Sequence, residues 1–192
     1  MDLSAPGYET ELLRFEPISA AHKDVLKTSG IEKSLWKYMP ALSGGTNFAK
    51  YMKALFDAHQ CGIAAYYVLF RKSDGQFAGV AGFSEINKIH RRLRNQVAWH
   101  PPEFEQPDLY LASQHGMIKR AYDWRAKRME WQINPKNEFM MQNLQYLNPK
   151  KEAKFRNFER TADGVWIDKI VFSMTRPELA EALEKLEAKL FA

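Results

Sequence analysis

Two side chains in this sequence stand where a proton could be moved. Glu85 lies near the end of a predicted central strand, where a carboxylate could serve as a general base, or stand as an exposed strand-end acid. His100 follows the next predicted strand and could take a proton or cap that strand's end. His115 falls on the apolar face of a predicted helix and reads as a satisfied core histidine. Cys61 is the sole cysteine, so an internal disulfide is excluded; it could be a nucleophile or a small residue ending a helix. No His, Cys and carboxylate set has metal-ligand spacing, and no Ser-His-Asp arrangement is visible, so no metal is expected. Basic residues gather at His90-Arg91-Arg92, Arg94, Lys119-Arg120, Arg125, Lys127-Arg128 and Lys150-Lys151. Aromatics do not interleave with them regularly, so a solvated face is expected rather than a nucleic-acid surface.

The element that must position such chemistry is the stretch Met129–Leu147. Met129, Trp131 and Ile133 alternate with Glu130, Gln132 and Asn134, which is the period of a strand. Pro135 cannot donate to a ladder and stops it. Phe139, Met140, Asn143, Leu144 and Leu147 then recur at helical spacing, with Asn134 or Asn137 placed to cap the helix. A strand therefore hands over to a helix whose free N–H groups face the break.

Earlier in the chain, Met1–Thr10 reads as a loose lead-in and Leu12–Ile18 as the first strand. Ser19 can cap a helix from Ala20 to Lys27. Trp36, Tyr38 and Met39 make an aromatic loop, and Ser43-Gly44-Gly45 a flexible one. Thr46 is placed to cap a helix with Tyr51, Met52, Leu55 and Phe56 on one face, ended by Gly62. Tyr66–Arg71 and Gln76–Ile86 form a hairpin, and Leu93–Trp99 a further strand. Asp108 is placed to cap a long helix to Ala126. Glu152–Arg160 and Val165–Met174 read as a second hairpin about Asp163-Gly164. Thr175, Pro177 and Glu178 bracket the start of a last helix with a capping box.

At 192 residues, 45% hydrophobic and 27% charged, the chain fits one globular domain over 1–192. No apolar run is long enough to span a bilayer and no charged-then-apolar leader is visible, so a cytoplasmic protein without membrane contact is expected. The formal charge of +5 allows an anionic ligand without demanding one. Periodicity alone gives an α+β class with a mixed sheet.

Arg128, Glu130, Trp131, Asn137, Leu147, Arg156, Asp163, Gly164, Asp168 and Ser173 follow one another in a recognisable order. In that order and spacing, the chain resembles the GNAT acyltransferases, in the branch related to ribosomal-protein N-terminal acetyltransferases. Leu13-Arg14-Phe15-Glu16-Pro17 and Gly75-Gln76-Phe77-Ala78-Gly79-Val80 extend the likeness over nearly the whole chain. The resemblance implies a mixed, mostly antiparallel sheet with helices on both faces. It also implies two central parallel strands, Leu93–Trp99 and Met129–Ile133, that splay near Trp99 and Ile133. It implies acetyl-CoA as donor and an amine, of a protein or a small molecule, as acceptor, with a homodimer as one possible assembly. The pantetheine arm would lie against Val97, Trp99 and Ile133, near Asn137, with the pyrophosphate at the N-terminus of the helix that follows Leu93–Trp99. Because the segment before that helix is poor in amide donors here, side chains such as Lys119 or Arg120 would have to hold it. Glu85 or His100 would take the amine's proton; Tyr146 would donate one to the leaving thiolate, although the family's tyrosine lies two residues earlier, where this chain has Leu144.

The chain departs from that branch in four places, one of them Lys151 in place of a bulky apolar residue. Pro101-Pro102-Glu103-Phe104-Glu105-Gln106-Pro107-Asp108 stands in place of a Gly-rich pyrophosphate loop, leaving few amide donors and adding carboxylates. Met140 stands where the branch has Ser, and Asn148-Pro149 where it has Gly-Ala. Two readings follow: an acetyl-CoA-dependent N-acyltransferase, or a degenerate GNAT-fold protein serving as a binding or structural module.

Overall fold

The computed structural model describes residues 6–29, 40–41, 47–101 and 107–191, with the main chain alone for 97–99. Among them the chain forms β1 (Tyr8–Glu9), β2 (Leu13–Pro17), a 3-10 turn at Ala20–His22 running into α1 (Lys23–Thr28), and α2 (Phe48–Gln60). There follow β3 (Ala65–Arg71), β4 (Phe77–Asn87), β5 (Arg92–Trp99), α3 (Pro107–Asp123) and β6 (Arg128–Ile133). The chain closes with α4 (Glu138–Tyr146), β7 (Lys150–Arg160), β8 (Trp166–Thr175) and α5 (Arg176–Leu190). The strands make one eight-stranded sheet in the order β1-β2-β3-β4-β5-β6-β8-β7. Only β5 and β6 are parallel among the paired strands, joined through α3. This is the mixed, mostly antiparallel α+β sheet expected from the GNAT resemblance.

Local sequence explains most element ends. In β6, Met129, Trp131 and Ile133 are buried while Arg128, Glu130 and Gln132 are half-buried, so its period of two divides the sheet's faces. The main-chain N–H and hydroxyl of Thr175 both donate to the Glu178 carboxylate, at 2.6 and 2.7 Å, fixing the start of α5. Cys61 is the exposed C-cap of α2, and Gly62 follows at φ 69°, a left-handed position that glycine occupies without strain.

Several expectations need correcting. Tyr8 and Glu9 are not a loose lead-in: they pair with β2 as an edge strand, and the Tyr8 ring stacks on Phe15 at 4.4 Å. The side chain capping α2 is Asn47, which accepts from the Lys50 N–H at 2.9 Å; Thr46 lies outside the described residues. Helix α3 opens at Pro107, so Asp108 sits within its first turn rather than capping it. The loops around Trp36, Tyr38 and Met39 and at Ser43-Gly44-Gly45 lie outside the described residues, as does 102–106 of the proline-acid loop.

Two clusters of buried side chains cover the sheet. The larger includes Leu13, Phe15, Tyr67, Phe83, Tyr110, Ile118, Trp131, Leu144, Phe172 and Leu186, joining α3, α4 and α5 to one face. The smaller, with Ile18, Leu26, Tyr51, Leu55, Tyr66, Val68 and Val80, seats α1 and α2 on the other. Helix α3 is buried along Leu109–Ile118, including the polar Ser113, Gln114 and His115.

Candidate active site at the parting of two strands

The parallel pair runs only from Arg92↔Arg128 to Arg94↔Glu130, and beyond that rung β5 and β6 no longer pair. The parting thus begins earlier than the expected Trp99 and Ile133. Its cause is visible on the other side of β5. Ala81 on β4 pairs with Val97 and Val80 with Trp99, so one step on β4 spans two residues on β5. That bulge at Ala98 bends the end of β5. Meanwhile β6 stays paired with β8 as far as Ile133↔Ile170. Both strands therefore present main-chain N–H and C=O groups to the gap that neither supplies to the other.

Ile133 is a core side chain, 3% exposed, so its contribution to the gap is its main chain. The main chains of Val97 and Trp99 pair with β4 as above. Past Ile133, the Asn134 side-chain oxygen accepts from the Lys136 N–H at 3.0 Å, and Asn137 caps α4 by accepting from the Met140 N–H at 3.1 Å. Asn137 is thus the cap, with Asn134 shaping the turn before it. Where the branch carries a hydroxyl, the chain places half-buried Met140 against the larger core.

His100 is buried at the end of β5, its Nδ1 2.8 Å from the Ala78 carbonyl oxygen. A carbonyl only accepts, so Nδ1 carries the proton and Nε2 the lone pair. Burial lowers the imidazole's pKa and outweighs the opposing effect of the Ala78 carbonyl, which favours the neutral ring. Nε2 is buried and has no partner among the described residues. The His100 ring lies edge-on to Tyr110 at 6.4 Å, and Tyr110 lies edge-on to Phe139 of α4 at 5.6 Å. The Tyr110 hydroxyl is likewise buried without a partner, and burial raises its pKa, keeping it a proton donor.

The other sequence candidates lie elsewhere. Glu85 is exposed, at φ 49°, and pairs with Arg94 at 2.7 Å; Arg94 also approaches Glu130 at 3.5 Å. It is level with Arg92–Arg94, where β5 and β6 are still joined, about 16 Å along β4 from Val80 at ~3.3 Å per residue. Its carboxylate belongs to a surface ion-pair ladder rather than to the gap. Lys119 pairs with Asp123 at 3.1 Å, and the Arg120 guanidinium lies 4.0 Å over the Tyr8 ring, bonded to the Pro6 carbonyl. Both sit near the far end of α3, Lys119 roughly 18 Å from Pro107 at 1.5 Å per residue, and do not face the helix start. Tyr146 ends α4, roughly 12 Å from Glu138, with the Lys185 ammonium 4.2 Å over its ring.

Three residues that the sequence did not single out are at the gap instead: Asn95, Tyr110 and Gln114. Gln114 accepts from the Asn95 side chain at 2.7 Å and from the Trp131 indole at 3.0 Å. Tyr110 and Gln114 were hidden by helical spacing, since polar residues on a helix are usually solvated, and Asn95 by its place on a strand beside charged residues.

The ligand that the resemblance implies is acetyl-CoA. The parted strand edges fit its extended, amide-bearing arm. The expected phosphate partners, Lys119 and Arg120, do not fit, because both are engaged elsewhere. Among the described residues no group of His, Cys, Asp and Glu is placed to hold a metal, and no helix is long and apolar enough to cross a membrane.

Solved structures with the same fold include GNAT acetyltransferases. Mycobacterium smegmatis RimJ, in complex with CoA-disulfide, is 16% identical with a TM-score of 0.79, matching 92% of this chain and 88% of that one. Spermidine N-acetyltransferase from Vibrio cholerae, with CoA and spermine, is 12% identical with a TM-score of 0.74, matching 89% of this chain and 99% of that one. The ribosomal-protein-S5-alanine acetyltransferase from Vibrio fischeri is 17% identical with a TM-score of 0.72, over 88% of this chain and 96% of that one. No family model and no curated protein sequence matches the chain.

Proposed function

We propose that this chain is an acetyl-CoA-dependent N-acetyltransferase whose acceptor is the amine of a protein or a small molecule. The observation that carries the reading is the parting of β5 and β6 directly after Arg94↔Glu130, in a fold shared with proteins crystallised with CoA. Acyl transfer from a thioester to an amine forms a C–N bond, breaks a C–S bond and releases the amine's proton. The open main-chain groups of β5 and β6 bind the donor's arm as an added strand would bind. His100 Nε2, held neutral by burial and oriented by the Ala78 carbonyl, receives the proton. Tyr110, rather than Tyr146, supplies the hydroxyl that protonates the departing sulfur.

The test is release of free thiol from acetyl-CoA with a panel of acceptors: an N-terminal peptide, a lysine peptide and a polyamine. Amine-dependent release is expected, and His100→Gln should lower kcat on the order of 10²–10⁴-fold. Neither binding nor turnover at millimolar acetyl-CoA would instead favour a binding module that kept the fold.

A further inference from the structure

The rung that would follow Arg94↔Glu130 is formed by Asn95 and Trp131, and there the main-chain ladder is absent. A side-chain rung replaces it. Both residues turn toward α3 and are buried, and a single oxygen, Gln114 Oε1, accepts from each of them. One helix residue is thus tied to both strands at the point where they separate. Filling the space does not require this arrangement, because leucine or methionine would serve. The polar rung also leaves Asn95 Oδ1 and Gln114 Nε2 buried without partners among the described residues, a cost that an apolar core avoids.

We propose that Gln114 is the positioning residue of the gap. From beneath the sheet it fixes β5 and β6 relative to each other while leaving their main-chain edges free for a ligand's amides. The mechanical claim stands on the hydrogen bonds alone; the claim about acetyl-CoA rests on the proposed function. An extended ligand held along two edges is sensitive to their spacing, since hydrogen bonds weaken as donor and acceptor move out of range.

The test compares Gln114→Leu, which deletes the acceptor at similar volume, with Gln114→Glu, which retains it, and with Trp131→Phe, which deletes one donor. In Gln114→Leu the KM for acetyl-CoA should rise about tenfold or more while kcat changes less than about threefold. Gln114→Glu should recover most of the loss, and Trp131→Phe should show a smaller rise in KM. By NMR, the Trp131 indole N–H should lose its hydrogen-bonded shift in Gln114→Leu, and amide exchange should change at Asn95–Gln96 and Gln132–Ile133. A folded Gln114→Leu protein with unchanged indole signal, exchange and KM overturns the proposal. Should Gln114→Leu fail to fold, Trp131→Phe with wild-type KM and exchange overturns it equally. If wild-type protein neither binds nor turns over acetyl-CoA, the functional reading falls, while indole shift and amide exchange still decide the role of Gln114.

Discussion

Adjacent residues on β3 show how differently the two faces of the sheet are built. Tyr66 points into the smaller cluster under α1 and α2, and its hydroxyl donates to the Gln96 side chain at 3.1 Å. Tyr67 points into the larger cluster under α3, fully buried, with a hydroxyl that has no partner among the described residues. The contrast extends beyond the pair. Asn95, His100, Tyr110, Ser113, Gln114 and His115 each also hold a buried polar atom without a partner, and all lie on or against α3 or at the end of β5. Buried polar groups are nearly always bonded, so a concentration on one face marks where stability has yielded to another requirement. That face is the one beneath the parted strands.

Core truncation should give the largest effect and treat the faces alike. Phe83→Ala in the larger cluster should cost about 3–5 kcal/mol and Leu55→Ala in the smaller about 2–5 kcal/mol, read by urea unfolding. A cost near zero at Phe83 would mean that the larger face is loosely packed and that its unpartnered atoms are merely hydrated. Gly116→Ala is next. An added Cβ would stand 2.3 Å from the Phe15 ring, so about 1–3 kcal/mol should be lost as α3 is pushed from β2.

The pair of tyrosines sharpens the comparison most finely. Tyr66→Phe removes a made hydrogen bond and should cost about 0.5–1.5 kcal/mol, whereas Tyr67→Phe removes an unsatisfied hydroxyl and should be neutral or stabilising. The reverse order would show that the Tyr67 hydroxyl is satisfied in solution. The pH dependence is the smallest effect. His100 has its pKa lowered by burial, so its contribution to stability is full above the unfolded value near 6.5. As pH falls below that value the unfolded chain gains a proton that the folded chain resists, and stability is lost. Replacing His100 by Gln should flatten the stability profile below about pH 6.5; an unchanged profile would mean that His100 titrates as if exposed.

Much of this architecture was readable where the physics is local. The alternation of Met129, Trp131 and Ile133 and the Thr175–Glu178 box depend on residues a few positions apart and stand as the sequence implies, while of the two candidate caps, Asn134 and Asn137, the structure selects Asn137. The site was less readable because its determinants are distant. Arg120 is drawn away by Tyr8, a partner more than a hundred residues earlier in the chain. Glu85 allows two readings in the sequence, a general base or an exposed strand-end acid; the register of β4 against β5 sets it below the parting, exposed and paired with Arg94. Gln114 gave no signal, because nothing local reveals that α3 is buried all along Leu109–Ile118. The proline-acid loop, the sequence's most conspicuous departure, lies at 102–106 outside the described residues.

The most direct test is amide hydrogen exchange on the wild-type protein with and without saturating acetyl-CoA. Slowed exchange is predicted at the ends of β5 and β6 and in the first turn of α4, with the α1–α2 face unchanged. Protection confined to another surface, or none at millimolar acetyl-CoA, would contradict the assignment of the parted strands as the donor site.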